Sequence, residues 1–100
     1  MIQDKIKKLY ELSKNFKICD WEIKENTDNL NDSQINQANS ILEKHHLFIL
    51  VSNKIYDVYS FCFFIMSQLS ERLIAHAWSD SEKQHYNLCY DILKEANFID

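Results

Sequence analysis

Histidine and cysteine are the residues of this chain best suited to chemistry. His45, His76 and His85 fall on predicted apolar helix faces, and Cys62 and Cys89 share such faces. A cysteine within hydrogen-bond reach of a histidine can act as a nucleophile, and four converging Cys or His ligands would bind zinc. The chain has neither a C-x-x-C pair nor an H-E-x-x-H motif, and cysteine is commonly buried in protein cores. We therefore expect core residues here, with no catalytic group, no metal ligand and no cofactor.

Arg72 and His76, separated by three residues, resemble the Arg/His pair of the HEPN ribonucleases, a helical family. The resemblance implies a nucleolytic role for the two side chains. The spacing is shorter than in that family, and it places both side chains on one helix face, as in an ordinary hydrogen-bonding pair. An enzyme of this kind, or one using the His and Cys faces, is the least favoured functional hypothesis, and we predict that the protein is not an enzyme.

A tryptophan inside an acidic segment is the most suggestive binding signal. The stretch "CDWEIKENTDNLND", residues 19–32, carries a net charge of −4. Binding hot spots are enriched in tryptophan, and acidic surfaces speed the capture of basic partners. The simpler interpretation is that Trp21 anchors a solvated acidic connection to the core. The candidate partner-binding residues are Asp20, Trp21, Glu22, Glu25, Asp28 and Asp32.

Apolar residues recur at helical spacing over most of the chain, which predicts four helices. We expect them over about 2–17, 33–49, 54–77 and from Ser79, where "SDSE" forms a capping box. The absence of glycine and proline argues for few tight turns. The predicted fold is therefore all-α: a small antiparallel four-helix bundle, forming a single domain over 1–100. An irregular acidic connection is expected at about 17–32.

Two segments allow a different fold. Cys19, Trp21 and Ile23 alternate with charged residues, which is the period of a strand, and "LFILV" at 47–51 is the next candidate strand. If the two pair, the fold is α+β, with short strands near 18–24 and 47–51. "SN" at 52–53 is the one plausible turn between the second and third helices, and it is not a strong one. Residues 33–77 could therefore form either one long helix or two.

The most apolar stretch, "FILVSNKIYDVYSFCFFIM" at 48–66, is not expected to cross a membrane. Eleven Leu, Ile, Val and Phe side chains in and next to it gain about 3–7 kcal/mol on insertion. Lys54 and Asp57 near its middle cost about 5–7 kcal/mol. The balance does not favour insertion.

Three phenylalanines widen the apolar face of the predicted third helix. Phe61, Phe63 and Phe64 lie outside its main inward stripe. A helix that is apolar nearly all round is either central in its own protein or covered by a partner. Either a wide core face or a homodimer surface through these residues explains the pattern.

Composition favours a protein that binds another protein. With a net charge of −4 and one arginine, the chain is poorly suited to nucleic acid, because neutralising phosphates needs clustered cations. The excess of lysine over arginine is typical of an AT-rich genome, such as that of a bacterium, phage or mobile element. The N-terminus lacks the apolar run of a secretory signal, so we expect a cytoplasmic protein.

The leading functional hypothesis is a small cytoplasmic inhibitor that acts by steric occlusion of a basic partner, such as a toxin or nuclease. It would be a toxin immunity protein or a phage-encoded inhibitor of a host defence enzyme. In size and expected fold the chain resembles the immunity proteins of the pediocin-like bacteriocins, which are small helical bundles. The alternative is a homodimeric structural or regulatory helical module.

Overall fold

The computed structural model of the protein describes residues 2–14, 20–75 and 77–99, with only the backbone of residues 74 and 75. Over these residues the chain forms four helices and three strands. In chain order they are α1 (Ile2–Ser13), β1 (Glu22–Lys24), α2 (Asp32–Leu42), β2 (Phe48–Val51), β3 (Lys54–Asp57), α3 (Val58–Ala75) and α4 (Asp80–Glu95). The predicted all-α four-helix bundle is therefore wrong, and the α+β alternative with two paired strands is confirmed. The likeness to helical-bundle immunity proteins loses its basis in the fold.

The strands form one antiparallel sheet in the order β1-β2-β3. Glu22 lies opposite Leu50, and Lys24 lies opposite Phe48, which is the pairing that the alternating segment near residue 21 suggested. Strand β2 is the run "FILV", and such β-branched and aromatic side chains pack well on a pleated surface. Phe48 and Ile49 are fully buried, so the central strand supplies the core of the sheet.

A tight hairpin replaces the expected junction between the second and third helices. Ser52 and Asn53 have φ angles of 47° and 69°, and Val51 lies opposite Lys54. Two residues with positive φ are the signature of a type I′ turn, whose twist matches that of paired strands. Because asparagine tolerates the left-handed region better than most residues, the turn forms without glycine.

The hairpin shortens both neighbouring helices relative to the sequence prediction. Helix α2 ends at Leu42 rather than near residue 49, and α3 begins at Val58 rather than near residue 54. Residues 33–77 thus contain two helices separated by β2 and β3. The expected extension of the first helix to residue 17 lies partly outside the described residues.

Capping boxes define the starts of two helices. Ser79 caps α4, its Oγ accepting from the Glu82 N–H while the Glu82 carboxylate accepts from the Ser79 N–H, as the "SDSE" pattern predicted. Helix α2 is capped by Asn31 in the same way, with Gln34 as its reciprocal partner. The cap therefore lies one residue before Asp32, the first residue of α2.

The chain divides into two compact units. The helical unit consists of Met1–Ile18 and Tyr59–Asp100, and the sheet unit consists of Cys19–Val58. In the helical unit α1 packs against α4, and Lys5 Nζ lies 2.9 Å from a carboxylate oxygen of Glu95. In the sheet unit α2 contacts β2 and β3. The expectation of one domain over 1–100 stays a prediction.

Buried apolar side chains form the core of each unit. Those of the helical unit come from α1, α3 and α4 and include Leu9, Ile65, Leu69, Ile92 and Leu93. In the sheet unit Ala38 of α2 is fully buried, as are Phe48 and Ile49 of β2. None of the described helices is long and apolar enough to cross a membrane.

Candidate partner-binding surfaces

The carboxylates of residues 20–32 lie on the surface of the sheet unit. All five are exposed: Asp20, Glu22, Glu25, Asp28 and Asp32. They stand on different elements, since Glu22 belongs to β1 and Asp32 begins α2, with a loop between. Lys24 Nζ lies 3.0 Å from a carboxylate oxygen of Glu22. The segment therefore carries five exposed carboxylates, which are together called the acidic surface here.

Local hydrogen bonds shape the loop that carries part of this surface. The Asp28 N–H donates to the Asn26 side-chain oxygen over 3.1 Å, which is the short-range bonding that favours asparagine in turns. Asn29 follows with φ of 65°, a conformation that asparagine adopts more readily than most residues. The Asn31 cap then starts α2 directly after the loop. These asparagines therefore determine the backbone conformation of the loop, in which the carboxylates are exposed to solvent.

Trp21 lies at the centre of the predicted contact but is a buried side chain. Only 8% of its surface is exposed, whereas Asp20 and Glu22 on either side of it are exposed. An anchor that inserts into a partner needs an exposed ring before binding. The placement agrees with the simpler interpretation, in which the ring anchors the acidic segment to the core.

Net charge is divided very unevenly along the chain. Residues 19–58, the sheet unit, contain seven carboxylates and three lysines, which amounts to the whole net charge of −4. The helical unit contains eight acidic and eight basic residues and is neutral. Five of the seven carboxylates of the sheet unit belong to the acidic surface.

Helix α3 carries the second candidate surface, and its phenylalanines separate into two groups. Phe61 is 1% exposed, whereas Phe63 is 44% and Phe64 is 37% exposed. The rings of Phe61 and Phe64 stack with their centroids 6.0 Å apart. Leu73, also on α3, is 50% exposed. Of the three residues predicted for self-association, Phe63 and Phe64 lie where a second copy can reach them.

Two cysteines and one histidine of the described residues lie in the core. Cys62 and Cys89 are free thiols that are fully buried, and the hydrogen bond with Cys62, together with burial, raises the pKa of the Cys89 thiol. His85 is fully buried, with Nδ1 2.6 Å from the Ser81 carbonyl oxygen. Because a carbonyl only accepts, that nitrogen carries the proton. His45 lies between α2 and β2 instead of on a helix.

These side chains do not assemble a metal site within the part of the chain that the structure describes. There, no group of three or more His, Cys, Asp and Glu side chains is arranged to hold an ion. A buried, protonated thiol is also a poor nucleophile, because the thiolate is the reactive form. The Arg72/His76 pair lies partly outside the described residues, since His76 is not among them.

Comparison of the chain with protein-family models, with curated proteins and with solved structures finds no match.

Proposed function

We propose that this protein is a small protein-binding inhibitor that occludes a basic partner with its acidic surface. The observation that supports the proposal is the charge of the sheet unit, which holds the whole net charge of −4 and exposes five carboxylates within residues 20–32. A toxin immunity protein, or a phage-encoded inhibitor of a host defence nuclease, has a partner of the required charge. The cytoplasm is the expected compartment for such an inhibitor.

The carboxylates would act first on the approach of the partner. Exposed charges of one sign raise the association rate with an oppositely charged protein, up to about 10⁸–10⁹ M⁻¹s⁻¹ at low salt. They contribute less to the final affinity, because exposed ion pairs are worth only about 0–1 kcal/mol each. Inhibition then follows from steric occlusion, which needs no catalytic group. Trp21 would stabilise the acidic surface from within.

A pull-down with charge-matched baits tests the proposal. Lysate of the source organism is passed over wild-type protein, over Asp28→Asn/Asp32→Asn, and over Asp80→Asn/Asp91→Asn. Each variant loses two exposed carboxylates, and each pair includes the first residue of a helix, Asp32 of α2 or Asp80 of α4. A basic protein that elutes with salt should be held by the wild type and the second variant and lost from the first. Equal capture by all three baits would overturn the acidic surface as the binding site.

Self-association is the second candidate function, because Phe63 and Phe64 are large apolar side chains exposed on one helix. Burying them between two copies would remove apolar area from water. Sedimentation of wild type, Phe63→Glu and Phe98→Glu distinguishes the two candidates. Phe98 is also exposed but lies beyond the end of α4. A micromolar dimer that only Phe63→Glu dissociates would favour the homodimeric module, and a monomeric wild type would remove it.

A further inference from the structure

The outer edge of strand β3 presents backbone groups that β2 does not use. In the part of the chain that the structure describes, β3 is the last strand of the sheet. Its pairing begins with Val51 opposite Lys54 across a two-residue turn. Residues that flank such a turn bond to each other, and bonding then alternates along an antiparallel pair. Lys54 and Tyr56 therefore bond to β2, and the N–H and C=O of Ile55 point to the outer edge.

A groove follows this edge. Its volume is about 660 Å³, and it is lined on one side by Ser33, Gln34 and Gln37 of α2 and on the other by Lys54, Ile55 and Tyr56 of β3. Successive side chains of a strand point to opposite faces. A groove that touches three consecutive strand residues therefore runs along the edge of the sheet and not over one face.

Helix α2 is tied to the hairpin at one end of the groove. The Gln34 side-chain N–H donates to the Asn53 carbonyl oxygen over 2.6 Å, and the same Gln34 is part of the α2 capping box. One side chain thus links the helix start to the turn. This link holds the start of α2 beside the turn.

We propose that this groove binds an extended basic segment of the partner, which adds to β3 as a fourth strand. The inference rests on the proposed function and specifies how the partner is held. An extended chain is the ligand that pairs with the exposed N–H and C=O of Ile55, as in other cases of strand addition between a sheet edge and a helix. Lysine or arginine in that segment would be attracted by the net charge of −4 on the sheet unit.

The lining determines the register of the added strand. Lys54 is exposed and is the one charged residue among those that line the groove. A segment in which basic and uncharged residues alternate has a register that keeps its cations on the face away from Lys54.

The test uses the full chain and a defined peptide. The probe is an eight-residue peptide of alternating lysine and valine, blocked at both ends. Its control has the same composition, with every second lysine as the D-enantiomer, which keeps the charge but disrupts strand pairing. In NMR titrations of the labelled protein we expect the all-L peptide to bind about tenfold more tightly. Hydrogen exchange of the Ile55 amide should slow in that complex.

Two double variants with equal charge localise the binding. Ser33→Lys/Gln37→Lys adds two cations inside the groove, and Asn36→Lys/Asn39→Lys adds two on exposed positions of the same helix. The first should weaken binding of the all-L peptide about tenfold and the second about twofold. Circular dichroism checks that both variants keep the wild-type fold.

The outcomes separate this inference from the function on which it rests. Equal binding of both peptides, or equal weakening by both double variants, would overturn strand addition and leave general attraction to the acidic surface. Absence of peptide binding at millimolar concentration would also overturn it, and Lys54 would then be a residue that protects the edge from pairing. The matched-bait pull-down decides the proposed function independently of either result.

Discussion

Trp21 is the residue for which a binding role and a structural role predict opposite phenotypes. Its side chain is buried, so Trp21→Ala should leave a cavity and lower the free energy of unfolding by about 3–5 kcal/mol. Urea denaturation measures the change. The matched control is Leu73→Ala, which removes a half-exposed side chain and should change stability by about 0.5 kcal/mol or less. A Trp21→Ala protein of wild-type stability that no longer binds its partner would instead make Trp21 a contact residue.

Cys89 should make stability depend on pH in the alkaline range. Its pKa in the folded protein lies above the usual value of 9.0 because of the hydrogen bond with Cys62 and burial. Above about pH 9 the unfolded chain loses this proton while the folded chain keeps it, so the folded state is progressively destabilised, by up to about 1.4 kcal/mol per pH unit. Below that pH the contribution is fully present.

Comparison with Cys89→Ala isolates the effect from the other groups that titrate in this range. The difference in unfolding free energy between wild type and variant, measured by urea denaturation from pH 7 to pH 10, should narrow above about pH 9. A difference that stays constant across the range would show that the folded protein does not hold the Cys89 proton.

The sequence located the buried cysteines correctly in the core but could not rank the aromatic residues by exposure. Helical spacing puts Phe61 and Phe64 on nearby positions, yet one is buried and the other is over a third exposed. The difference depends on which neighbouring elements cover each side of α3. Spacing along one helix contains no information about that.

At the scale of elements, the β2–β3 hairpin depends on two residues with positive φ. Neither Ser52 nor Asn53 is glycine, and Asn-Gly is the preferred pair for a type I′ turn. Ser52→Asn/Asn53→Gly should therefore raise the free energy of unfolding by about 1 kcal/mol, because the new pair adopts positive φ at lower cost. Thermal denaturation would show the change. The Gln34 bond is kept, because it ends on the backbone of residue 53.

A glycine at a helical position provides the control for the hairpin prediction. Asn36→Gly lies within α2 and should lower stability by a few tenths of a kcal/mol, since glycine disfavours a helix interior. Destabilisation by the turn variant as well would mean that residues 52–53 do not form a type I′ turn in solution.

The elements themselves were predictable where the local signal was unambiguous. The Ser79 capping box places the start of α4, and the alternation around Trp21 indicated the strand that became β1. The run of residues 48–51 was ambiguous, since four consecutive apolar residues fit a buried strand or a helix equally well. Because "SN" lacks glycine, the turn signal is too weak to distinguish a strand from a helix here. The residues of β3 therefore fall within the expected third helix.

At the scale of the whole molecule, the acidic surface was predictable because charge is read directly from the sequence. The carboxylates of residues 20–32 are expected to be exposed in any fold of this chain, because burying an unpaired carboxylate is costly. That the whole net charge of −4 belongs to one unit was not predictable, because it depends on the division of the chain at residues 18–19 and 58–59. That division joins the acidic surface, the sheet edge and the groove in a single unit.

The association rate of the protein with its captured partner is the most direct test of the central claim. Surface plasmon resonance would measure it at 50 mM and 300 mM salt, for wild type and for Asp28→Asn/Asp32→Asn. If the acidic surface attracts a basic partner, the wild-type rate should fall at least about tenfold between the two salt concentrations, and less for the variant. A wild-type association rate that does not change with salt would contradict the account.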